Sequence, residues 1–474
     1  MIAALLARTS AISPYGRVGS PRVRTVGLRA PRRTWLAALS ALAFLAATGS
    51  RAAEDLEIVI SEGRDNPARI AVVPFDASTV PVASGMADII AFDLLRSGQF
   101  STLARENMLS YPATPEDVFF RDWRIVGMDY LLIGRADLEP NGDLGVAWHL
   151  YDVTAGRELL SRRLVASPVH MRDVAHRIAD DAYAAITGVR GAFSTRILYV
   201  LVQNPGTSYA RYQLRLADSD GERARTVFES TEPVMSPGWS PDGTRIAYVS
   251  FETGKSSIVV HDLGTDERRI VANFEGINGA PAFSPDGHTL AMSLSRDGNS
   301  EIYTQDIATG ALRRVTRHPG AIDTEPTWNA AGDALIFTSD RGRRPQIYQV
   351  DLATLFVERL TFHGDYNARA RLLPDQRHLI YVHRRDGIYH IAWKDLERDD
   401  LPRVLTATSL DESPSVAPNG AMLIYATQDG GRGILAVVSI DGGATYQLRS
   451  ASGDVREPTW SPFLDTTRVV SSSE

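Results

Sequence analysis

His378, His383 and His390, and the repeated carboxylates Asp242 and Asp286, are the residues whose types and spacing come nearest to chemistry. A histidine cluster could ligate a metal, and paired carboxylates could share acid and base roles. The histidine spacings of five and seven fall on neighbouring β-strands, however, and read as sheet or surface histidines. Asp242 and Asp286 each lie in a Ser-Pro-Asp-Gly turn, where aspartate caps its own turn through side-chain-to-backbone hydrogen bonds. There is no Gly-x-Ser-x-Gly elbow, His-Glu-x-x-His, Walker loop, Gly-x-Gly-x-x-Gly or EF-hand pattern. Sialidase-type propellers repeat Ser-x-Asp-x-Gly with a downstream Trp, whereas here Trp precedes the turn. The chain has 0 Cys, which excludes disulfides, thiol catalysis and thiolate metal sites. The sequence therefore predicts no catalytic residue, no cofactor and no metal site.

The elements that carry these turns recur. Trp239, Phe283, Trp328, Leu372, Val416 and Trp460 head equivalent motifs, separated by 44, 45, 44, 44 and 44 residues. A period of this length, built from short strands and turns, is that of β-propeller blades. Proline presets φ in the turn and glycine accepts a positive φ. Blade five departs, with Asp375-Gln376-Arg377 and no turn glycine. Ile197–Leu201, Tyr212–Ala217 and Arg225–Phe228 form a blade without its first strand, and the orphan strand around Trp460 supplies it. The expected fold is multidomain: an N-terminal α/β domain followed by a six-bladed β-propeller closed by its two chain ends.

Residues 1–53 read as a signal peptide. Arg22, Arg24, Arg29, Arg32 and Arg33 precede the apolar run Trp35–Ala47, and cleavage falls after Ala52 or Ala53. The run is too short to span a bilayer as a permanent helix. Export by the general secretory route is expected, with twin-arginine export as the alternative. The stretch before Arg22 is longer than such a leader needs, which fits either a downstream start or an uncleaved extension. Residues 54–190 form the α/β domain, 191–464 the propeller and 465–474 a C-terminal tail. In the first domain, Ala68–Phe75, Tyr130–Ala136 and Val146–Val153 read as strands, with a hairpin turn at Asn141-Gly142. Ser84–Ser97 and the segment after Ser167-Pro168 read as helices, and Thr114 as a helix cap. Gly188–Ser194 leaves little room for a flexible linker. A net charge of −7 gives no reason to expect nucleic-acid binding.

Short polar loops before each first strand converge on one mouth of the channel, and Glu232, Glu325, Glu412 and Glu457 would give it an acidic ring. Scaffold-borne loops of this kind favour a protein- or peptide-docking surface. The chain resembles the TolB family of the Tol–Pal envelope system through Arg69–Phe75, Ile89–Phe100, Tyr130–Arg135, the junction His176–Ile197, and Leu410–Gly420. The resemblance covers essentially the whole mature chain and implies a non-enzymatic periplasmic adaptor that supports outer-membrane integrity and envelope constriction. It implies that one propeller mouth receives the lipoprotein Pal, through Asn278, Gly279, Ala280, Thr324, Glu325, Asp411 and Glu412. It further implies that Glu54–Glu62, with Leu56, Ile58 and Ile60 alternating, engages TolA by strand addition. Other outer-membrane lipoproteins are further expected partners. Ile277 stands where many members have histidine. The alternative reading is an exported propeller hydrolase acting on peptides or glycans.

Overall fold

A computed structural model describes residues 56–62, 66–464 and 470–472. The signal-peptide expectation, and Glu54 with it, lies outside the described residues. Strand β1 (Glu57–Glu62) comes first and joins the propeller, not the α/β domain in which the sequence reading put it. The α/β domain holds β2 (Ala68–Val72), α1 (Met86–Arg96), β3 (Phe100–Thr102), α2 (Phe120–Ile125), β4 (Tyr130–Leu138), β5 (Leu144–Asp152), β6 (Arg157–Ala166) and α3 (Met171–Thr187). Its sheet runs β3-β2-β4-β5-β6, with β2 parallel to both neighbours and the remaining pairs antiparallel. Val470–Ser472, part of the expected tail, adds a sixth strand against β6.

Ile70-Ala71-Val72-Val73 is an unbroken apolar run because both faces of β2 are covered, as central parallel strands require. Met86, Ile90 and Leu94 of α1 and Val174, Ile178 and Ala182 of α3 pack on one face, while Trp123 of α2 packs on the other. Gly188 ends α3 in the left-handed conformation (φ 77°), which costs glycine least. Thr114 does not cap a backbone N–H. Its hydroxyl donates to Asp117 Oδ2 (2.9 Å) ahead of a three-residue 3-10 turn, too short to leave the donors that a cap satisfies. Strand β6 was not legible, since Arg157, Arg162 and Arg163 break its apolar alternation.

The remaining strands form six four-stranded antiparallel sheets. Blade one combines Asp454–Trp460 with Arg196–Gln203, Arg211–Asp218 and Arg225–Ser230, placing Trp460 opposite Ile197. Blades two to six begin at Val234–Trp239, Asn278–Phe283, Asp323–Trp328, Asn367–Leu372 and Glu412–Val416. Tyr199, Tyr248, Met292, Phe337, Tyr381 and Tyr425 occupy one position in successive second strands, all buried between sheets. In blade five Gln376 takes the left-handed turn position itself (φ 57°), and its Oε1 accepts the Ala330 N–H (2.8 Å). Sheet six is extended to five strands by β1, antiparallel to Thr445–Arg449, with Ile58 opposite Leu448 and Ile60 opposite Tyr446.

The α/β domain rests on the turns between the third and fourth strands of blades one and six, with Gly98 against Ala444 in the latter. Arg96 donates to Ser219 O (3.2 Å), Ser219 Oγ (2.8 Å) and Tyr446 Oη (3.1 Å) while pairing with Asp93 (2.9 Å). His176 Nδ1 lies 2.6 Å from Asp93 and its Nε2 lies 3.6 Å from Asp220. Arg172 pairs with Asp220 (2.5 Å), and Arg223 with Asp218 (2.6 Å) and Asp173 (2.5 Å). The junction is pinned too. Asp180 accepts the Phe193 N–H (2.6 Å) and the Ser194 hydroxyl, and a Cβ on Gly191 would meet Asp180 Cα at 2.5 Å.

Burial, the largest single influence, disfavours the His176 imidazolium, but the charges and hydrogen bonds of Asp93, Asp218 and Asp220 together outweigh it and push the pKa up to about 10. A folded-state pKa above the ordinary 6.5 contributes stability that is complete below pH 6.5 and lost as pH rises through about 10. His176→Gln should therefore lower stability by about 3 kcal/mol at neutral pH, the usual cost of breaking a buried pair. It should also flatten the alkaline decline. Denaturant melts from pH 6 to pH 10 check both.

Candidate propeller mouth and hub

Each first strand carries a β-bulge at the same place. The register breaks between Met235 and Gly238, and again at the equivalent step of the other five blades. At each break one residue adopts a left-handed φ: Ser236 (49°), Ala280 (50°), Glu325 (56°), Arg369 (54°), Ser413 (54°) and Glu457 (54°). None is glycine, so the strain is imposed by closing the strand around the hub. The six side chains line a central cavity of about 210 Å³.

The expected acidic ring is corrected by this geometry. Glu232 is exposed and outside the hub lining. Arg369 joins Glu325 and Glu457 across the channel, with Nε 2.6 Å from Glu325 Oε1 and Nη1 3.2 Å from Glu457 Oε2. Its Nη1 also donates to Ser413 Oγ, and its backbone N–H to Glu325 Oε2 (3.2 Å). Burial by itself would raise the Glu325 pKa, yet the charge and hydrogen bond of Arg369 hold it below the ordinary value. Glu412 has no such partner among the described residues, and burial together with the neighbouring Glu457 charge pushes its pKa up. The hub is an ion-paired plug and not a free carboxylate ring.

The remaining residues assigned to this mouth separate into two kinds. Asn278 and Asp411 are fully buried, as are their counterparts Asp323 and Asn367. Asn278 Nδ2 donates to the Ser256 and Phe274 carbonyls (3.0 and 2.8 Å), and Asp411 accepts from Thr406 and Thr408. They clamp the loops and do not face solvent. Gly279 is also buried, Ala280 belongs to the bulge ring, and Thr324 and Glu412 are half-buried. The sequence reading noted Ile277 only as a departure from the family and missed that it begins a series, the residue before each clamp: Ile277, Ile322, Tyr366 and Leu410. Ile322 and Leu410 are 48% and 50% exposed, and Ile277 and Tyr366 are half-buried. The same 44- or 45-residue step that revealed the blades would have found this apolar rim.

Of the segment assigned to TolA, Leu56 is buried against Gly221, where any Cβ would stand 2.9 Å from Leu56 Cβ, and Ile58 is half-buried. Ile60 pairs with Tyr446 through the backbone.

Asp242 and Asp286 each accept the N–H two residues on (Thr244, 3.1 Å; His288, 3.0 Å), as turn caps do. His383 and His390 face one another across a strand pair, His383 Nδ1 lying 2.7 Å from Asn367 Oδ1, while His378 sits at the strand's other end beside Asp375. Among the described residues, Asp93, His176 and Asp220 bring potential ligand atoms within 4.8 Å of one another. Arg96, Arg172 and the His176 imidazolium already neutralise those carboxylates, so the group is an ion-pair lock between domains.

Arg369→Met should leave the buried Glu457 and the half-buried Glu325 without their cation and destabilise the propeller by about 3 kcal/mol. Adding Glu325→Gln and Glu457→Gln should recover most of that loss. Melting temperatures of the single and triple variants check it.

Residues 56–159 match the family described as the TolB amino-terminal domain, and residues 183–464 the TolB beta propeller domain. A Pseudomonas aeruginosa protein named Tol-Pal system protein TolB is 50% identical over 433 residues, covering 90% of this chain and 98% of its own. Its Pseudomonas putida namesake is 47% identical over 422 residues, 88% of this chain and 96% of its own. The crystal structure of TolB from Acinetobacter baumannii superposes with a TM-score of 0.80 at 42% identity, covering 86% of this chain and all of that one. The α/β domain, the closed six-bladed ring and these relatives agree: the chain belongs to the TolB family of Tol-Pal system proteins.

Proposed function

We propose that this protein is a periplasmic, non-enzymatic adaptor of the Tol–Pal system that grips Pal at the propeller mouth and TolA through its first strand. In that role it supports outer-membrane integrity and envelope constriction at division. Membership in the family, whose relatives carry the system in their names, is the observation that supports the reading most. Among the described residues no helix is long and apolar enough to cross a membrane. The acidic and histidine residues that first suggest catalysis are engaged in turns and strand pairs.

At the mouth, the contact surface is the apolar rim of Ile277, Ile322, Tyr366 and Leu410. Thr324 and Glu412 stand beside it, and the clamps Asn278 and Asp411 hold the loops in place. Exposed apolar side chains around a polar, ion-paired centre give the anchor-and-rim pattern of protein interfaces. Gly279, Ala280 and Glu325 shape this face from behind. The first strand offers TolA a backbone edge: β1 ends its sheet, one edge pairing with Thr445–Arg449, and among the described residues no strand occupies the other.

Ile322→Asp combined with Leu410→Asp should weaken Pal binding by roughly tenfold or more and leave the melting temperature unchanged, since both side chains are exposed. Calorimetric titration showing wild-type affinity would remove the rim from the interface. Deleting residues 54–62 should abolish TolA binding while sparing Pal binding in the same assay. Loss of both would show that the two partners do not divide the molecule in this way.

A further inference from the structure

The hub contains a second ring, two residues further along each first strand than the bulge: Gly238, Ala282, Thr327, Arg371, Ser415 and Thr459. Glycine, alanine and short hydroxyl residues keep this ring open. Arg371 is its one charged member.

Arg369, on the bulge ring, has two carboxylate partners. Arg371, on the same strand, has none among the described residues, and its Nη1 donates only to the neighbouring Ala370 carbonyl (2.8 Å). A guanidinium carries five N–H donors in a fixed fork, so most of this one is unused. Burial and the neighbouring Arg369 charge push its pKa below the ordinary value, and the Glu325 and Glu457 charges, which are paired with Arg369, offset this only in part. Thr327 and Thr459 line the same cavity, and among the described residues their hydroxyls have no hydrogen-bond partner.

We infer that the propeller channel binds a carboxylate on the Arg371 fork, with the Thr327 and Thr459 hydroxyls completing its hydrogen bonds. Planar carboxylate oxygens match the guanidinium fork. Glu325 and Glu457 on the adjoining ring favour a single negative charge over a doubly charged phosphate. The cavity of about 210 Å³ accommodates a small carboxylate together with water. The carboxylate is either that of a free small acid or that of an acidic side chain or chain end that a docked protein inserts.

Acetate is the probe, titrated into the mature chain and followed by carbon-13 line broadening and by the rise in melting temperature that a ligand of the folded state produces. Saturable, millimolar binding that is at least tenfold weaker in Arg371→Met is the expected result. Non-saturating binding, or an equal constant in the variant, overturns the site. Should Arg371→Met fail to fold, Arg371→Lys keeps the charge but loses the fork: weaker acetate binding supports the assignment and unchanged binding refutes it. Pal added to the acetate-loaded protein separates the two sources. Displaced acetate assigns the site to a partner's carboxylate, retained acetate to a free acid, and either result keeps the site.

Discussion

One antiparallel pairing holds the molecule in its form. Asp454–Trp460, from the end of the propeller, hydrogen-bonds along Arg196–Gln203, from its beginning. Without that seam the six sheets would form an open array with two unpaired edges, a template for association with other chains. The seam is reinforced where it is most buried, for the Trp460 indole donates to Thr195 Oγ1 (2.7 Å) and Ser461 N to Arg196 O (2.8 Å). Thr195 directly follows Phe193 and Ser194, which Asp180 of α3 holds. The closure of the ring therefore also fixes the α/β domain, and the ion pairs around His176 act on a junction that has little freedom left to lose.

The closed ring sets the chemistry of its own centre. Six inner strands crowding one axis must bulge, and each does so by putting one residue in the left-handed region, at a cost of roughly 1 kcal/mol for a residue with a Cβ. Proline follows in five of the six copies, at positions 237, 281, 326, 414 and 458. A bulge interrupts the ladder, so a residue with no N–H loses nothing there. The residue placed in the left-handed conformation is thereby aimed at the channel in every blade. Its identity is free to vary, and in this chain two glutamates and one arginine compensate each other across the axis.

The ring and its count were legible because the turns between strands obey local rules, so Pro-Asp-Gly chemistry repeats with the period of the blade. The same locality explains what was not legible. Asn278 and Asp411 read as polar residues of polar loops, and such a residue gives no sign that its side chain turns inward to clamp the backbone. Glu325 and Glu457 looked like an acidic rim because Arg369, their partner, lies one or two blades away and contributes nothing to either local pattern. The apolar residues before each clamp were overlooked for the opposite reason: single exposed isoleucines and leucines are ordinary until the repeat aligns them. Strand β1 alternates as expected of a half-buried strand, yet alternation says nothing about which sheet it joins. That is decided by residues nearly four hundred positions away.

Blade six joins the two regions to which binding is assigned. Its inner strand, Glu412–Val416, contributes Ser413 and Ser415 to the hub, and its outermost strand is β1, with the hydrogen-bonded ladder continuous between them. Among the described residues β1 is held at that edge by backbone pairing, by Ile58 packed on the blade's core and by the burial of Leu56, which depends on Gly221 having no side chain. The inner strand is held by the ring on both sides. A partner at the mouth meets a surface that the seam has already made rigid, whereas a partner at β1 meets the terminal strand of the same sheet. The two ends of one blade thus differ in what they present, side chains ringed around an axis at the hub and a backbone edge at β1, which suits a preformed grip at the one and a strand-pairing contact at the other.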